Sequence, residues 1–258
     1  SWSCLKLPTE KGLIMRTPRL FIDQSLAPQR QIDIDGAGAQ YLSRVLRARV
    51  GHQIALFDGS GSEFPAEIIA IGKRAITVLL GEGVEPATES PIQTSLGLCL
   101  SKGDRFDWAV QKATELGVSE IQPLVSERVD FAIPEDRIGK RVAHWQQIAV
   151  SACEQSGRVK VPRLHPPTPL LEWVRMTSAD EKWVLDGAAD QSSLPDIPPK
   201  TVAVLVGPEG GLTDGEVSAA LGSGFRALRL GPRILRTETA PAVALTLIHS
   251  RWGDLHAS

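Results

Sequence analysis

Short apolar strands alternate with helices throughout the second half of the chain, from Pro91 onward. The patterns predict strands at 94–100, 120–125, 182–185, 201–206 and 226–230, and helices at 104–116, 137–155, 216–221 and 240–252. Nearly continuous apolar runs such as residues 201–206 are typical of strands that are buried on both faces. This alternation predicts an α/β fold with a mostly parallel sheet that helices cover on both sides.

The first half of the chain has a different pattern, which predicts short strands separated by turns. Strands are predicted at 53–57, 63–71 and 75–80, with one helix at 37–47, which indicates a small barrel or sandwich. Residues 81–91 are rich in Gly, Pro and acidic side chains, as domain boundaries often are. The predicted organisation is therefore a β domain at 15–80, a linker at 81–91 and an α/β domain at 92–258.

Composition excludes several classes of protein. The 258 residues are 42% hydrophobic and 22% charged, which argues against disorder and fibrous repeats. No apolar run approaches the roughly 18 to 20 residues of a membrane-spanning helix, so no membrane partner is expected. Three scattered cysteines and five histidines without metal-ligand spacing predict a reduced, cytoplasmic protein with no metal site.

Two loops at predicted strand ends stand out as a possible ligand site. The first is V-G-P-E-G-G at 206–211, and the second runs from Leu230 to Pro241 and leads into the last helix, with Thr237 or Thr239 as its cap. Either loop alone is explained equally well as a tight turn. Because ligands of parallel sheets bind beyond the carboxyl ends of the strands, the two loops together favour a binding site.

Other loop signatures are missing from the sequence. Neither loop has the G-x-x-x-x-G-K-[ST] pattern of nucleotide triphosphatases or the G-x-G-x-x-G pattern of dinucleotide-binding domains. No G-x-S-x-G elbow occurs, which disfavours an α/β-hydrolase.

The segments LVGPEGGLTDGE (205–216) and LGPRILRTETAPAVAL (230–245) resemble the SPOUT superfamily of RNA methyltransferases. The chain is most similar to the bacterial 16S ribosomal RNA uracil-N3 methyltransferase family. Further matching segments are MRTPRLF (15–21), RVLR (44–47), QKATELGVSEIQPLVSER (111–128) and ACEQSGR (152–158). The resemblance covers residues 15 to 255.

This resemblance implies an N-terminal PUA-like β-barrel and a C-terminal SPOUT domain with a trefoil knot. It also implies a homodimer that uses S-adenosylmethionine to methylate N3 of one uridine of 16S rRNA, near the decoding centre of the 30S subunit. The residues that the resemblance assigns to the cofactor are Leu185, Gly207, Glu209, Gly210, Gly211, Leu230, Gly231, Ile234, Leu235 and Thr237.

Uridine N3 carries a proton, so its methylation needs a base or a cation that stabilises the uridine anion. Arg236 is the candidate cation, and Glu238 or Glu209 is the candidate base. An alternative of equal weight is that Arg236 and Glu238 form a capping ion pair at the start of the last helix.

The net charge of the chain does not at first suggest an RNA substrate, because the sequence has 28 basic and 30 acidic residues. The span from Arg16 to Arg49, however, holds six arginines against three acids, a local charge of +3. Arg44 and Arg47 are three residues apart and should share a helix face, which could bind phosphates or simply face solvent. Segment 155–158 could also face the target uridine, although helix capping explains it nearly as well. The predicted RNA contacts are Arg16, Arg19, Arg44, Arg47 and Arg128.

Two alternatives stay open at this stage. One is another SPOUT enzyme that acts on tRNA or on a ribose 2′-hydroxyl. The other is a non-catalytic RNA-binding protein that retains a vestigial cofactor pocket.

Overall fold

The computed structural model describes residues 17–189 and 193–256. The chain divides into two compact units between Ala87 and Thr88. This division falls inside the segment 81–91 that the composition predicts to be a linker.

The first unit is built on a five-stranded mixed sheet. Its strands follow one another in space in the order β1-β3-β4-β5-β2; β1 is parallel to β3 and the other pairings are antiparallel. The elements are β1 (Arg19–Phe21), β2 (Gln31–Ile34), α1 (Gly36–Gln40), a π-helical turn (Tyr41–Val45), β3 (Gln53–Phe57), β4 (Glu63–Ile71) and β5 (Ile76–Leu80).

Alternating burial builds the core of this unit. Phe64, Ala66 and Ile68 of β4 are buried, whereas the residues between them are exposed. This period of two is the one expected for a strand with one face on the core. β1 and β2 were not predicted, because runs of three and four residues are too short to give a clear alternating signal.

The helix predicted at 37–47 is shorter than expected. The helical turns end at Val45, where the amide of Leu46 donates to the carbonyl of Tyr41. Arg47 lies beyond them with a φ of +48°. The prediction that Arg44 and Arg47 share a helix face is therefore wrong, because the backbone changes direction between them.

The second unit is an α/β domain, as predicted. Every described strand pairing in its seven-stranded sheet is parallel, in the order β12-β10-β11-β6-β7-β8, with β9 also on β7. The elements are β6 (Gln93–Cys99), α2 (Arg105–Glu115), β7 (Glu120–Val125), α3 (Glu135–Ser156), β8 (Arg163–Leu164), β9 (Thr168–Pro169), α4 (Leu170–Met176), β10 (Glu181–Leu185), β11 (Thr201–Val206), α5 (Asp214–Gly222), β12 (Arg226–Leu228) and α6 (Thr239–Trp252).

Strand β11 shows why the sheet is covered on both faces. Val202, Val204 and Val206 pack into the cluster that includes α2, α3 and α6. The alternate residues Ala203 and Leu205 pack into a second cluster with α4 and α5. Both sets of side chains are buried, so a continuous apolar run is the sequence that this position requires.

A partly buried ion pair holds the start of this unit against two helix ends. The carboxylate of Glu89 accepts from Nη2 of Arg158 at 2.9 Å and from the amides of Val159 and Lys160. Nη1 of Arg158 donates to the carbonyls of Thr114 and Val118 at 2.9 and 2.8 Å. Arg158 is only 5% exposed. The prediction that segment 155–158 faces the RNA is therefore wrong for Arg158, whose side chain is committed to these contacts.

We predict that Glu89→Ala lowers the free energy of unfolding by about 3 kcal/mol, because it leaves a buried guanidinium without its counter-charge. Two amide donors also lose their acceptor. Urea unfolding should show this as a lower midpoint. Glu85→Ala is the matched control, since it removes the same charge from an exposed position. Equal midpoints for the two variants would contradict the prediction.

Within the described residues, no helix is both long enough and apolar enough to cross a bilayer.

Candidate functional site

A cavity of about 460 Å³ lies at the carboxyl ends of three adjacent strands of the second unit. Its walls are residues 185–187 at and after β10, residues 206–209, 211 and 212 at and after β11, and residues 228–238 at and after β12, with Arg105 and Ala240 beside them. Since β12, β10 and β11 are neighbours in a parallel sheet, their carboxyl ends meet at one edge. This is the edge at which open α/β sheets bind ligands.

The cavity gathers all but one of the residues that the sequence assigns to the cofactor, together with both catalytic candidates. Gly210 is the exception and does not line it. The predicted residues on its walls are Leu185, Gly207, Glu209, Gly211, Leu230, Gly231, Ile234, Leu235, Arg236, Thr237 and Glu238. Other lining residues fall in the two predicted loops without having been assigned to the cofactor: Val206, Pro208, Pro232, Arg233 and Ala240. The lining residues outside those loops, which the sequence did not indicate, are Arg105, Asp186, Gly187, Leu212, Leu228 and Arg229.

Glycine is required where these loops turn. Gly211 and Gly231 have φ values of +71° and +76°, a region that side chains with a Cβ rarely adopt. The amide of Gly211 donates to the carbonyl of Pro208 at 2.9 Å, which closes the turn after β11. The glycines in the two loop sequences are therefore required by the backbone conformation at the cavity wall.

Arg128 is hydrogen-bonded to the loop after β11. Its Nη1 donates to the carbonyl of Gly210 at 2.7 Å and to that of Leu212 at 3.3 Å. The sequence singled out Arg128 as an RNA contact and did not indicate this role, because Gly210 is 82 residues away along the chain.

A buried carboxylate makes a second link to the same loop. Glu216 is 2% exposed; its Oε1 accepts from the amide of Glu127 and its Oε2 from the amide of Thr213, both at 2.9 Å. Thr213 Oγ1 in turn accepts from the amide of Glu216 at 3.2 Å, which completes a capping box at the start of α5. The helix predicted at 216–221 in fact begins at Asp214, because Thr213 and Glu216 of the T-D-G-E segment form its capping box.

Glu209 is held by a cation at the cavity edge. Nη1 of Arg105, the first residue of α2, lies 2.8 Å from its Oε1. Of the two candidate bases, Glu209 is therefore already paired.

The other two candidates lie where the chain enters α6. The side chain of Arg236 is exposed, and its backbone carbonyl accepts from the amides of Thr239 and Ala240. Oε2 of Glu238 is shielded from solvent and has no hydrogen-bond partner among the described residues. Within that part of the chain Arg236 and Glu238 form no ion pair, so the capping pair considered above is absent. The cap position itself belongs to Glu238, and the prediction of Thr237 or Thr239 is wrong.

Cys99 at this sheet edge is not a reactive thiol. Burial raises the pKa of Cys99, the last residue of β6, to about 12. The thiol is therefore neutral at physiological pH and is a poor nucleophile. Across the described ranges, no three His, Cys, Asp or Glu side chains cluster as a metal site would require.

The predicted RNA contacts of the first unit have different surroundings. Nε of Arg19 lies 2.5 Å from a carboxylate oxygen of Glu63, and its guanidinium lies 4.8 Å from the ring centre of Phe57. Arg44 and Arg47 are exposed. Arg16 lies outside the described residues.

Comparisons with known proteins agree with this arrangement. A family model described as an RNA methyltransferase domain matches residues 88–249, and one described as an RNA methyltransferase PUA domain matches residues 34–80. Ribosomal RNA small subunit methyltransferase E of Buchnera aphidicola subsp. Schizaphis graminum is 32% identical over 242 residues, covering 93% of this chain and 98% of that protein. The Bacillus subtilis protein of the same name is 33% identical over 245 residues, covering 89% and 95%.

Two solved structures are similar over nearly the whole chain. Ribosomal RNA small subunit methyltransferase E of Neisseria gonorrhoeae, bound to S-adenosylmethionine, is 36% identical with a TM-score of 0.86 and covers 93% of this chain and 100% of its own. A Legionella pneumophila methyltransferase in complex with the same cofactor is 37% identical with a TM-score of 0.89 and the same coverage. The chain therefore belongs to the ribosomal RNA small subunit methyltransferase E family of RNA methyltransferases, in which a PUA domain precedes the methyltransferase domain.

Proposed function

We propose that the protein transfers a methyl group from S-adenosylmethionine to N3 of one uridine of 16S rRNA, near the decoding centre of the assembled 30S subunit. The observation that carries this proposal is the cavity at the ends of β10, β11 and β12, in a chain 36% and 37% identical to two structures that hold this cofactor. The names of the relatives support the small-subunit rRNA as substrate. The work of the protein would then belong to rRNA processing in ribosome biogenesis.

The residues of the cavity fit the cofactor. A volume of about 460 Å³ is within the usual size of small-molecule sites. Leu185, Leu230 and Leu235 supply apolar surface, and the turns at Gly207 and Gly231 bring backbone groups to the wall. These are the residues that would hold the adenosine part. Thr237 is a further cavity residue, which is 7% exposed.

When bound, S-adenosylmethionine supplies the methyl group on a positively charged sulfur, which makes the methyl carbon an electrophile without a metal. The protein must make uridine N3 nucleophilic. Glu238 is the better candidate base, because Glu209 is paired with Arg105 whereas one carboxylate oxygen of Glu238 has no partner among the described residues.

The carboxylate of Glu238 would take the proton from N3, and the cofactor held by Leu185, Leu230 and Leu235 would supply the methyl group that replaces it. Arg236 lines the cavity with an exposed guanidinium and would stabilise the negative charge that develops on the uracil ring.

One experiment separates this function from its alternatives. The purified protein is incubated with labelled S-adenosylmethionine and 30S subunits from a strain that lacks the enzyme, and the modified nucleotide is mapped. A label at uracil N3 supports the proposal. A label on tRNA or on a ribose 2′-oxygen would favour another SPOUT enzyme, and cofactor binding without any transfer would favour a vestigial pocket.

Several expectations from the sequence and from the resemblance stay predictions. They are the homodimer, the trefoil knot, the cytoplasmic location and the roles of Arg16, Arg19, Arg44, Arg47 and Arg128 in RNA binding.

We predict that Arg236→Ala lowers the rate of methyl transfer to 30S subunits about 100-fold or more, as loss of one charge-stabilising donor typically does. Because the side chain is exposed, the unfolding midpoint should not change. Arg175→Ala, which removes an exposed arginine from α4 away from the cavity, is the control. Transfer by Arg236→Ala at the wild-type rate would refute the role.

A second prediction distinguishes the two candidate bases. Glu238→Gln keeps the shape of the side chain but cannot accept a proton, so turnover should fall by about 100-fold, within the usual range for general bases. Glu209→Gln should retain more activity, since its carboxylate is already bound to Arg105. Single-turnover methylation with saturating cofactor measures both. The opposite order would make Glu209 the base.

The loop contacts of Arg128 give a third prediction. Arg128→Ala removes both hydrogen bonds to the cavity loop and should weaken the binding of S-adenosylmethionine about tenfold, a loss of about 1.4 kcal/mol. Arg128→Lys should recover part of the affinity, because one ammonium can still reach a carbonyl. Calorimetry without RNA isolates this effect, and Arg137→Ala on α3 serves as the control. If Arg128→Ala left the cofactor affinity unchanged and weakened RNA binding, the result would contradict this role and indicate that Arg128 contacts RNA.

A further inference from the structure

An ion pair of unusual placement lies at the edge of the cofactor cavity. Arg105 and Glu209 both line the cavity, and Nη1 of Arg105 is 2.8 Å from Oε1 of Glu209. Arg105 begins the helix that follows β6, and β6 pairs with β11 on the side away from β10. The two charges therefore lie toward β6, whereas the apolar residues Leu230 and Leu235 belong to the segment that follows β12.

Both charged side chains keep most of their hydrogen-bonding capacity. A guanidinium has five N–H donors and a carboxylate has about four acceptor positions. The contact between Nη1 and Oε1 is the only hydrogen bond that either side chain makes to the described residues. The side chains of Arg105 and Glu209 are 45% and 39% exposed. Unused donors and acceptors are therefore available to a ligand in the cavity.

The ion pair between Arg158 and Glu89 is a useful contrast within the same unit. Its side chains are only 6% and 18% exposed, and they also bind backbone carbonyls and amides. That pair serves the structure. A half-exposed pair such as Arg105–Glu209 contributes little to the free energy of folding. Stability alone therefore does not explain why two opposite charges line this cavity.

The amino-acid end of S-adenosylmethionine matches the pair in charge. It carries an ammonium group and a carboxylate on one carbon atom, so it is a zwitterion. A guanidinium binds a carboxylate through two parallel hydrogen bonds, and an ammonium group offers three donors to a carboxylate. A neutralised pair attracts a lone ion only weakly, but each of its charges can bind the opposite charge of a zwitterion.

We propose that Arg105 and Glu209 recognise the amino-acid end of the cofactor, with Arg105 bound to its carboxylate and Glu209 to its ammonium group. The proposal rests on the proposed function, since it assumes S-adenosylmethionine as the methyl donor. It names the part of the cofactor that Glu209 contacts, and it gives a binding role to Arg105, which the sequence did not indicate. The pair then selects ligands that carry both charges.

The test uses three ligands that share the adenosine part. S-adenosylmethionine has both the carboxylate and the ammonium group, decarboxylated S-adenosylmethionine has only the ammonium group, and 5′-methylthioadenosine has neither. Calorimetry without RNA measures the affinity of each ligand for the wild-type protein, Arg105→Gln and Glu209→Gln. Lys112→Gln is the matched control, because it breaks another ion pair of α2, that of Lys112 with Glu115 at 2.9 Å, and neither of these residues lines the cavity.

Arg105→Gln should bind S-adenosylmethionine about tenfold more weakly, as expected for the loss of a hydrogen bond between charged groups. It should show no loss of affinity for the other two ligands. Glu209→Gln should weaken the binding of both ligands that have the ammonium group, by a similar factor. Neither variant should change the affinity for 5′-methylthioadenosine, which also shows that the cavity is intact. The control should bind all three ligands as the wild-type protein does.

Two outcomes would overturn the proposal. If either variant lost affinity for all three ligands by the same factor, the pair would act only by ordering the loop. If neither variant lost affinity for S-adenosylmethionine, the amino-acid end would bind elsewhere. A wild-type protein that bound none of the three ligands, or that failed to methylate 30S subunits, would instead count against the proposed function, so the two failures are distinguishable.

Discussion

The carboxylate of Glu216 is the interaction on which the cavity wall most depends. A buried carboxylate is costly unless each oxygen has a donor, and here the amides of Glu127 and Thr213 supply one each. These two amides belong to segments that are far apart in sequence, the residues after β7 and the start of α5. Their shared acceptor fixes the distance between the end of β7 and the loop that follows β11, and so fixes one wall of the cavity.

Two further contacts make the same loop rigid from different sides. Arg128 binds the carbonyls of Gly210 and Leu212, and Arg105 pairs with Glu209. Glycine-rich loops lose much conformational entropy when they are ordered, and a ligand that had to order this loop would bind more weakly. Contacts that order the loop before the ligand binds remove that entropic cost. Arg105 of α2 and Arg128, which follows β7, both have this effect, since one binds a loop carboxylate and the other binds loop carbonyls.

The sequence predicts the parts of this site that depend on local chemistry. Buried strands such as β11 need continuous apolar residues, and turns such as that at Gly231 need positive φ, so both are visible in the one-dimensional pattern. The short strands β1 and β2 and the helix α4 are less visible, because few residues carry their signal. The roles of Arg105 and Arg128 were not predictable in this way, since each depends on a partner more than 80 residues distant that only the folded chain brings near.

The electrostatics of the chain also depend on contacts that only the fold creates. The totals of 28 basic and 30 acidic residues nearly cancel and say little about a polyanionic substrate. In the folded chain several arginines serve the structure itself: Arg158 holds Glu89, Arg19 holds Glu63 and Arg105 holds Glu209. Such cations are already neutralised by their partners and attract an external phosphate only weakly. The relevant quantity is the number of cations that share a surface without internal partners, and a protein of near-zero net charge can recognise RNA when a few of them lie at one groove.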